Sequence, residues 1–127
     1  MPRVSKAFFT VAVLCGLAGM AWGMHMGKSG DHSMMPAHAH LNLLGWVGLA
    51  IMGGFYALPG TLKGGWLPWT NLVLSAYGAI SMAVLLPKVL TGKLSGAVMV
   101  TTEIPIVLGM LLFLVAVLWT WRKAPAA

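Results

Sequence analysis

The chain has 127 residues, of which 59% are hydrophobic and only 8% are charged. A soluble domain normally carries about 25% charged residues, so these figures argue against a soluble enzyme and against a disordered chain. The net charge of +6 is in the range of nucleic-acid-binding domains. However, the basic residues stand singly between long apolar runs and form no basic stripe. The composition therefore indicates a membrane protein that does not bind nucleic acid.

Four stretches are long and apolar enough to cross a bilayer, because a helical span needs roughly 20 mainly apolar residues. In chain order they cover about residues 7–23, 37–58, 69–86 and 96–121. In lipid every backbone amide needs an internal partner, and helices provide one within each segment. We therefore predict one all-α domain over residues 1–127, an integral membrane four-helix bundle surrounded by membrane lipid.

The first span has two interpretations, a cleaved signal peptide or a retained helix. Basic residues before the apolar run, and the small residues that end it, are typical of a secretory signal. Trp22 is an awkward residue beside a cleavage site. The span contains glycines that include two small-xxx-small steps, which let helices approach closely; they are Gly16, Gly19, Gly23 and Gly27. We expect a retained helix whose glycines offer a contact surface in a homo-oligomer.

The basic residues predict the orientation by the positive-inside rule. With the N-terminus inside, the cytoplasmic side holds Arg3, Lys6, Lys63, Arg122 and Lys123, and the outer side holds Lys28, Lys88 and Lys93. Both termini are then cytoplasmic. We expect a bacterial inner (plasma) membrane, with the connection between spans one and two on the periplasmic side.

That connection and the start of span two contain every histidine of the chain and four of its ten methionines. Imidazole nitrogens and thioethers are ligands that suit haem iron and copper. The alternative is a polar connection without a ligand role. The candidate metal ligands are His40, His38, His25, Met24 and Met26.

Pro36 suits the start of a helix, which places His38 and His40 in the first turns of span two. Two residues apart on a helix means about 200° around its axis, so the two side chains do not share a cavity. The face of His40 continues through Leu44, Val47 and Ile51, and the face of His38 through Asn42, Gly45 and Leu49.

Glu103 is the only acidic residue inside a predicted span, and intramembrane ionisable residues usually mark function. At a depth similar to that of His40, its carboxylate would accept a hydrogen bond from the ligand histidine and orient the ring. Alternatively, it pairs with Lys88 or Lys93.

The stretch from His40 to Pro59 resembles the second helix of the catalytic subunit (subunit I) of haem-copper oxidases, closest to the nitric oxide reductase and C-type oxidase branches. The resemblance is carried by His-x-Asn at His40 and Asn42, a glycine-rich apolar run, and the Tyr-x-x-Pro exit at Tyr56. It implies that His40 is an axial ligand of haem b. It covers about 20 of the 127 residues.

The chain departs from that family in its ligand count. Spans two to four contain no histidine beyond His38 and His40, so one chain cannot hold a complete binuclear centre. The second axial ligand would be His40 of another copy, or within the chain His38, His25, Met24 or Met26. Asn42 and Glu103 complete the candidate cofactor-binding residues.

Three functions fit these observations. The first is a membrane haem b protein for electron transfer or binding of a diatomic gas, working with respiratory-chain redox partners. The second is a copper-binding or oxidase-assembly protein that uses the Met/His segment, and the third is an accessory subunit without a ligand. No nucleophile–base pair is evident, so we do not expect an enzyme, and any redox activity would come from the haem.

Overall fold

Four helices that alternate in direction make up almost all of the chain in this computed structural model, which describes residues 1–123. α1 covers Arg3–Ser29, α2 covers Met35–Ala57, α3 covers Trp66–Leu90, and α4 covers Val100–Lys123 after one 3-10 turn. All four are long and apolar enough to cross a membrane. The prediction of an all-α chain with four such helices is confirmed.

The alternation gives the bundle two distinct ends. The proximal end is the one where α1 begins and α4 finishes, and the distal end is the one where α1 finishes and α2 begins. Both α1 and α3 extend beyond the predicted spans, because backbone hydrogen bonding continues into the polar flanks. α1 stops at Gly30, which adopts a φ of 70° and donates its N–H to the carbonyl of Met26 at 3.0 Å. Glycine adopts this left-handed conformation at the end of a helix without steric cost, because it has no Cβ atom.

The middle of α2 is not α-helical. Between the α-helical turns of Met35–His40 and Leu49–Ala57, the eight residues Leu41–Gly48 form a π-helix. In a π-helix each N–H bonds to the carbonyl five residues earlier instead of four, and such segments are rare and frequent at functional sites. The sequence did not predict this segment, because an apolar pattern does not distinguish hydrogen bonds that span four residues from hydrogen bonds that span five.

α1 and α2 approach closely because glycines on α1 accommodate side chains of α2. A Cβ atom at Gly16 would lie 3.0 Å from the ring of Trp46, and one at Gly23 would lie 3.1 Å from Cε1 of His38. Gly19 lies directly against the amide of Asn42.

The glycines of α1 therefore serve an interface within the chain. At Gly16, Gly19 and Gly23 the neighbour is α2 of the same chain, and the oligomer contact stays a prediction. Gly27 has no neighbour within 4 Å in the described part of the chain, and it remains open.

Aromatic packing closes the proximal end. The ring of Tyr56 is fully buried and stacks on Phe8 with 5.5 Å between ring centroids. Phe55 of α2 meets Phe113 of α4 edge-on at 5.2 Å. The main buried cluster lies around these rings and includes Val4, Ala12, Leu49, Met52, Leu72 and Ala116.

A buried amide links three helices just above this cluster. Asn71 of α3 is fully buried, and its Nδ2 donates to the carbonyl oxygen of Gly109 on α4 at 2.7 Å. Its Oδ1 accepts a hydrogen bond from the hydroxyl of Tyr56 on α2 at 3.1 Å. The same Nδ2 lies 3.3 Å from Oγ of Ser75. The side chain of Asn71 thus fixes the positions of α2 and α4 relative to α3.

Replacing Gly19 by alanine is expected to destabilise the bundle, because the new methyl group would displace the Asn42 side chain from its position. Overpacking of this kind costs about 1–3 kcal/mol. Unfolding by sodium dodecyl sulfate, followed by tryptophan fluorescence, measures the change. Gly27→Ala is the matched control, since it makes the same gain in helix propensity in open space. Equal stability of the two variants would contradict the described α1–α2 contact.

Replacing Asn71 by leucine is expected to lower the free energy of unfolding by about 1 kcal/mol or more, because it removes both interhelical hydrogen bonds. The same unfolding assay applies. Thr101→Val is the control, since within the described residues the Thr101 hydroxyl bonds only to the carbonyl of Val98 in its own turn. A loss no larger than that of the control would show that the amide does not hold the helices together.

Candidate metal and haem site at the distal end

The predicted ligand residues all lie at the distal end, but their side chains have different surroundings. Of the five, Met26 is buried, His38 is half-buried, and His40, His25 and Met24 are exposed. Met24 and Met26 are two residues apart on α1 and differ in exposure, as their angular separation of about 200° requires.

His38 is held in the interface between α1 and α2. Its ring lies edge-on to Trp22, with 6.4 Å between centroids, and against Gly23. Nδ2 of Asn42 is 3.3 Å from Nδ1 and 3.5 Å from Nε2 of this ring, and it also donates to the His38 carbonyl at 2.9 Å. The Asn42 amide nitrogen therefore lies beside both ring nitrogens of His38. His38 is a packed, hydrogen-bonded residue in this arrangement.

His40 points away from that interface, which confirms that the two histidines do not share a cavity. The side chain is exposed, and its Nδ1 lies 2.7 Å from the carbonyl oxygen of Pro36. A carbonyl only accepts hydrogen bonds, so Nδ1 carries the proton and the lone pair of Nε2 is available. Metal-bound histidines commonly donate their other ring N–H to a carbonyl in this way.

His32 has a similar local bond in the connection between α1 and α2. Its Nδ1 lies 3.0 Å from the carbonyl of Gly30. The adjacent Asp31 accepts the backbone N–H of Ser33 at 2.9 Å. This hydrogen bond holds the pKa of Asp31 below its ordinary value, and the Ser33 side chain and the charges of His32 and His25 lower it further. Asp31 and His32 are therefore adjacent exposed polar residues in this connection.

Glu103 does not contact the histidines. It lies exposed in the first turn of α4. Within residues 1–122 no hydrogen bond or ion pair joins it to His40, Lys88 or Lys93. Its position is favourable for another reason, because the N-terminal end of a helix carries partial positive charge that stabilises a carboxylate.

The described residues contain no group of three or more histidine, cysteine, aspartate or glutamate side chains that could hold a metal ion. The groove between α1 and α3, about 460 Å³ in volume, is lined by apolar side chains and Cys15 but by no histidine. A haem bound through Nε2 of His40 would therefore lie against the outer surface of the bundle, where a second molecule would have to enclose it.

Two features were missed by sequence reasoning, the hydrogen bond between Asn42 and His38 near the predicted site and the interhelical role of Asn71 near the proximal end. Asn71 had a visible signal, since a carboxamide within a long apolar segment that spans a membrane bonds across helices. Its partners on α2 and α4 depend on helix packing, which one sequence does not encode locally.

The chain was compared with models of protein families, with curated proteins and with solved structures, and none of them matches.

The neutral imidazole of His40 is expected to carry its proton on Nδ1, because Pro36 accepts it. Nitrogen-15 NMR of histidine-labelled protein, under conditions where the imidazoles are neutral, distinguishes protonated from unprotonated ring nitrogens. His25 is the internal control: it is exposed and has no such bond to any described residue, so it should favour the Nε2–H form of free histidine. Observation of Nε2–H at His40 would contradict the assignment.

Proposed function

We propose that the chain is a membrane haem b protein in which His40 is an axial ligand of the iron. The observation that carries the proposal is the hydrogen bond from Nδ1 of His40 to the Pro36 carbonyl, which leaves Nε2 exposed. The resemblance of the stretch from His40 to Pro59 to the second helix of haem-copper oxidases supports the same residue.

One copy of the chain would give the haem one axial ligand, His40, and an apolar surface for the macrocycle to pack on. Leu43, Val47 and Ile51 lie exposed along α2 beyond His40 and would provide apolar surroundings for the macrocycle. His38 does not fit as a ligand in this arrangement because it faces α1 and Asn42. In this proposal the second ligand is His40 of another copy, in a homo-oligomer, because two such apolar α2 faces would enclose the haem.

Haem iron with two histidine ligands suits electron transfer, and iron with one open position binds a diatomic gas. The protein's own contribution is to hold the imidazole in one tautomer and to expose it on an apolar face. Lys28 and Lys88 lie exposed at the distal end, where they would pair with the haem propionates. In this proposal the termini are cytoplasmic, the distal end faces the periplasm of a bacterium, and respiratory-chain proteins are the redox partners.

A second candidate function is copper binding at the connection between α1 and α2. It is favoured by the exposed side chains of His25 and His32 and by the exposed thioether of Met24 in or beside this connection. Imidazole and thioether together suit copper. This function would belong to a copper-handling or oxidase-assembly protein.

The haem proposal predicts a Soret band in protein expressed with sufficient haem, and about one haem for two chains in a pyridine haemochrome assay. His40→Gly should lose the band, because in this proposal His40 is the residue that ligates the iron. Added imidazole should restore the band in this variant, since the small ligand occupies the vacated space. His38→Gln is the matched control and should retain the band.

Absence of bound haem in the unmodified protein would refute the proposal. A band that persists in His40→Gly without imidazole would refute the residue assignment. Copper without iron in elemental analysis, lost on replacing His25 and His32 by alanine, would instead establish the second function.

A further inference from the structure

A small cavity lies between α2, α3 and α4 near the middle of the bundle. α2 and α4 touch at the proximal side through Phe55 and Phe113, and beyond this contact a space of about 30 Å³ separates them. Its lining consists of Leu44, Gly48, Met52, Ser75, Ile106 and Met110.

The cavity exists because Gly48, the last residue of the π-helix, has no side chain to fill it. A Cβ atom built there would approach only the carbonyl oxygen of Leu43, at 3.2 Å. Among the described residues, no side chain of α3 or α4 lies within 4 Å of that position. Gly78 and Gly109, by contrast, lie directly against Ile106 and Ser75. Space at Gly48 is therefore not a general consequence of small residues in this bundle.

The lining decides what the cavity can hold. Ser75 is its only polar side chain, and the Ser75 oxygen already accepts a hydrogen bond from Asn71 at 3.3 Å. A buried water needs two to four polar partners, and apolar cavities stay dry and bind apolar atoms or molecules such as xenon. The volume of about 30 Å³ exceeds the roughly 10–15 Å³ that a cavity needs to admit one water-sized molecule, so the cavity admits a very small ligand such as a diatomic molecule.

We propose that this cavity is a binding site for a small apolar molecule of the size of a diatomic gas. Met110 is exposed beside the cavity, so a gas dissolved in the surrounding lipid would have a short apolar route to it. The site shares no residue with the proposed haem site and does not depend on haem.

Xenon binding to the purified haem-free protein in detergent tests the proposal. We expect saturable shifts of backbone amide NMR signals with xenon pressure, concentrated at Gly48 and Ile106. Gly48→Leu fills the cavity and should reduce the xenon affinity at least tenfold. Gly27→Leu is the matched control, since Gly27 has open space around it, and it should bind xenon as the unmodified protein does.

Met110→Phe provides a second way to fill the cavity from its exposed side, in case Gly48→Leu does not fold. Shifts that rise linearly with pressure and persist in both filled variants would show that xenon merely dissolves in the detergent, and would overturn the proposal. Nuclear Overhauser contacts from water to the Gly48 amide would overturn it as well, because they would identify a hydrated cavity. Because haem is absent from this assay, its outcome is independent of the haem proposal.

Discussion

The buried carboxamide of Asn71 is the interaction on which the arrangement of the helices depends. In lipid the exclusion of water gives helices little reason to associate, because acyl chains are as apolar as leucine. Association then rests on packing and on hydrogen bonds between helices. The carboxamide supplies such bonds to α2 through Tyr56 and to α4 through the Gly109 carbonyl. α3 is therefore the common neighbour that sets the positions of the other two helices.

The two ends of the bundle use different means of contact. At the proximal end large rings fill the interior, and the packing is apolar around Tyr56 and Phe113. Towards the distal end α1 and α2 meet through glycines, which bring polar side chains of α2 into the interface without a large gap. This difference explains why Asn42 and His38 are accommodated between helices, while His40 remains on the outside of the same helix.

Much of the architecture could be predicted from sequence, because the four apolar stretches and the spacing of His38 and His40 follow from local rules. The opposite orientation of these two histidines needs only the 100° turn of each helical residue. The details of the site could not be predicted in the same way. Which residues face the α1 glycines, and where Glu103 lies relative to His40, depends on the rotation of whole helices, which no local pattern encodes.

The π-helix of α2 has a consequence for the phase of the helix. In a π-helix each hydrogen bond spans five residues instead of the four of an α-helix, so the hydrogen-bonded turn contains one more residue. The segment Leu41–Gly48 therefore has wider turns than an α-helix of the same length. The buried face of Leu49–Ala57 packs in the proximal core. The direction in which the side chains of Met35–His40 point then depends on how many turns between the two segments are π-helical. Conversion of the segment to α-helical bonding would rotate His38 and His40 about the helix axis. The hydrogen-bond register of eight residues therefore determines which imidazole is enclosed and which is exposed.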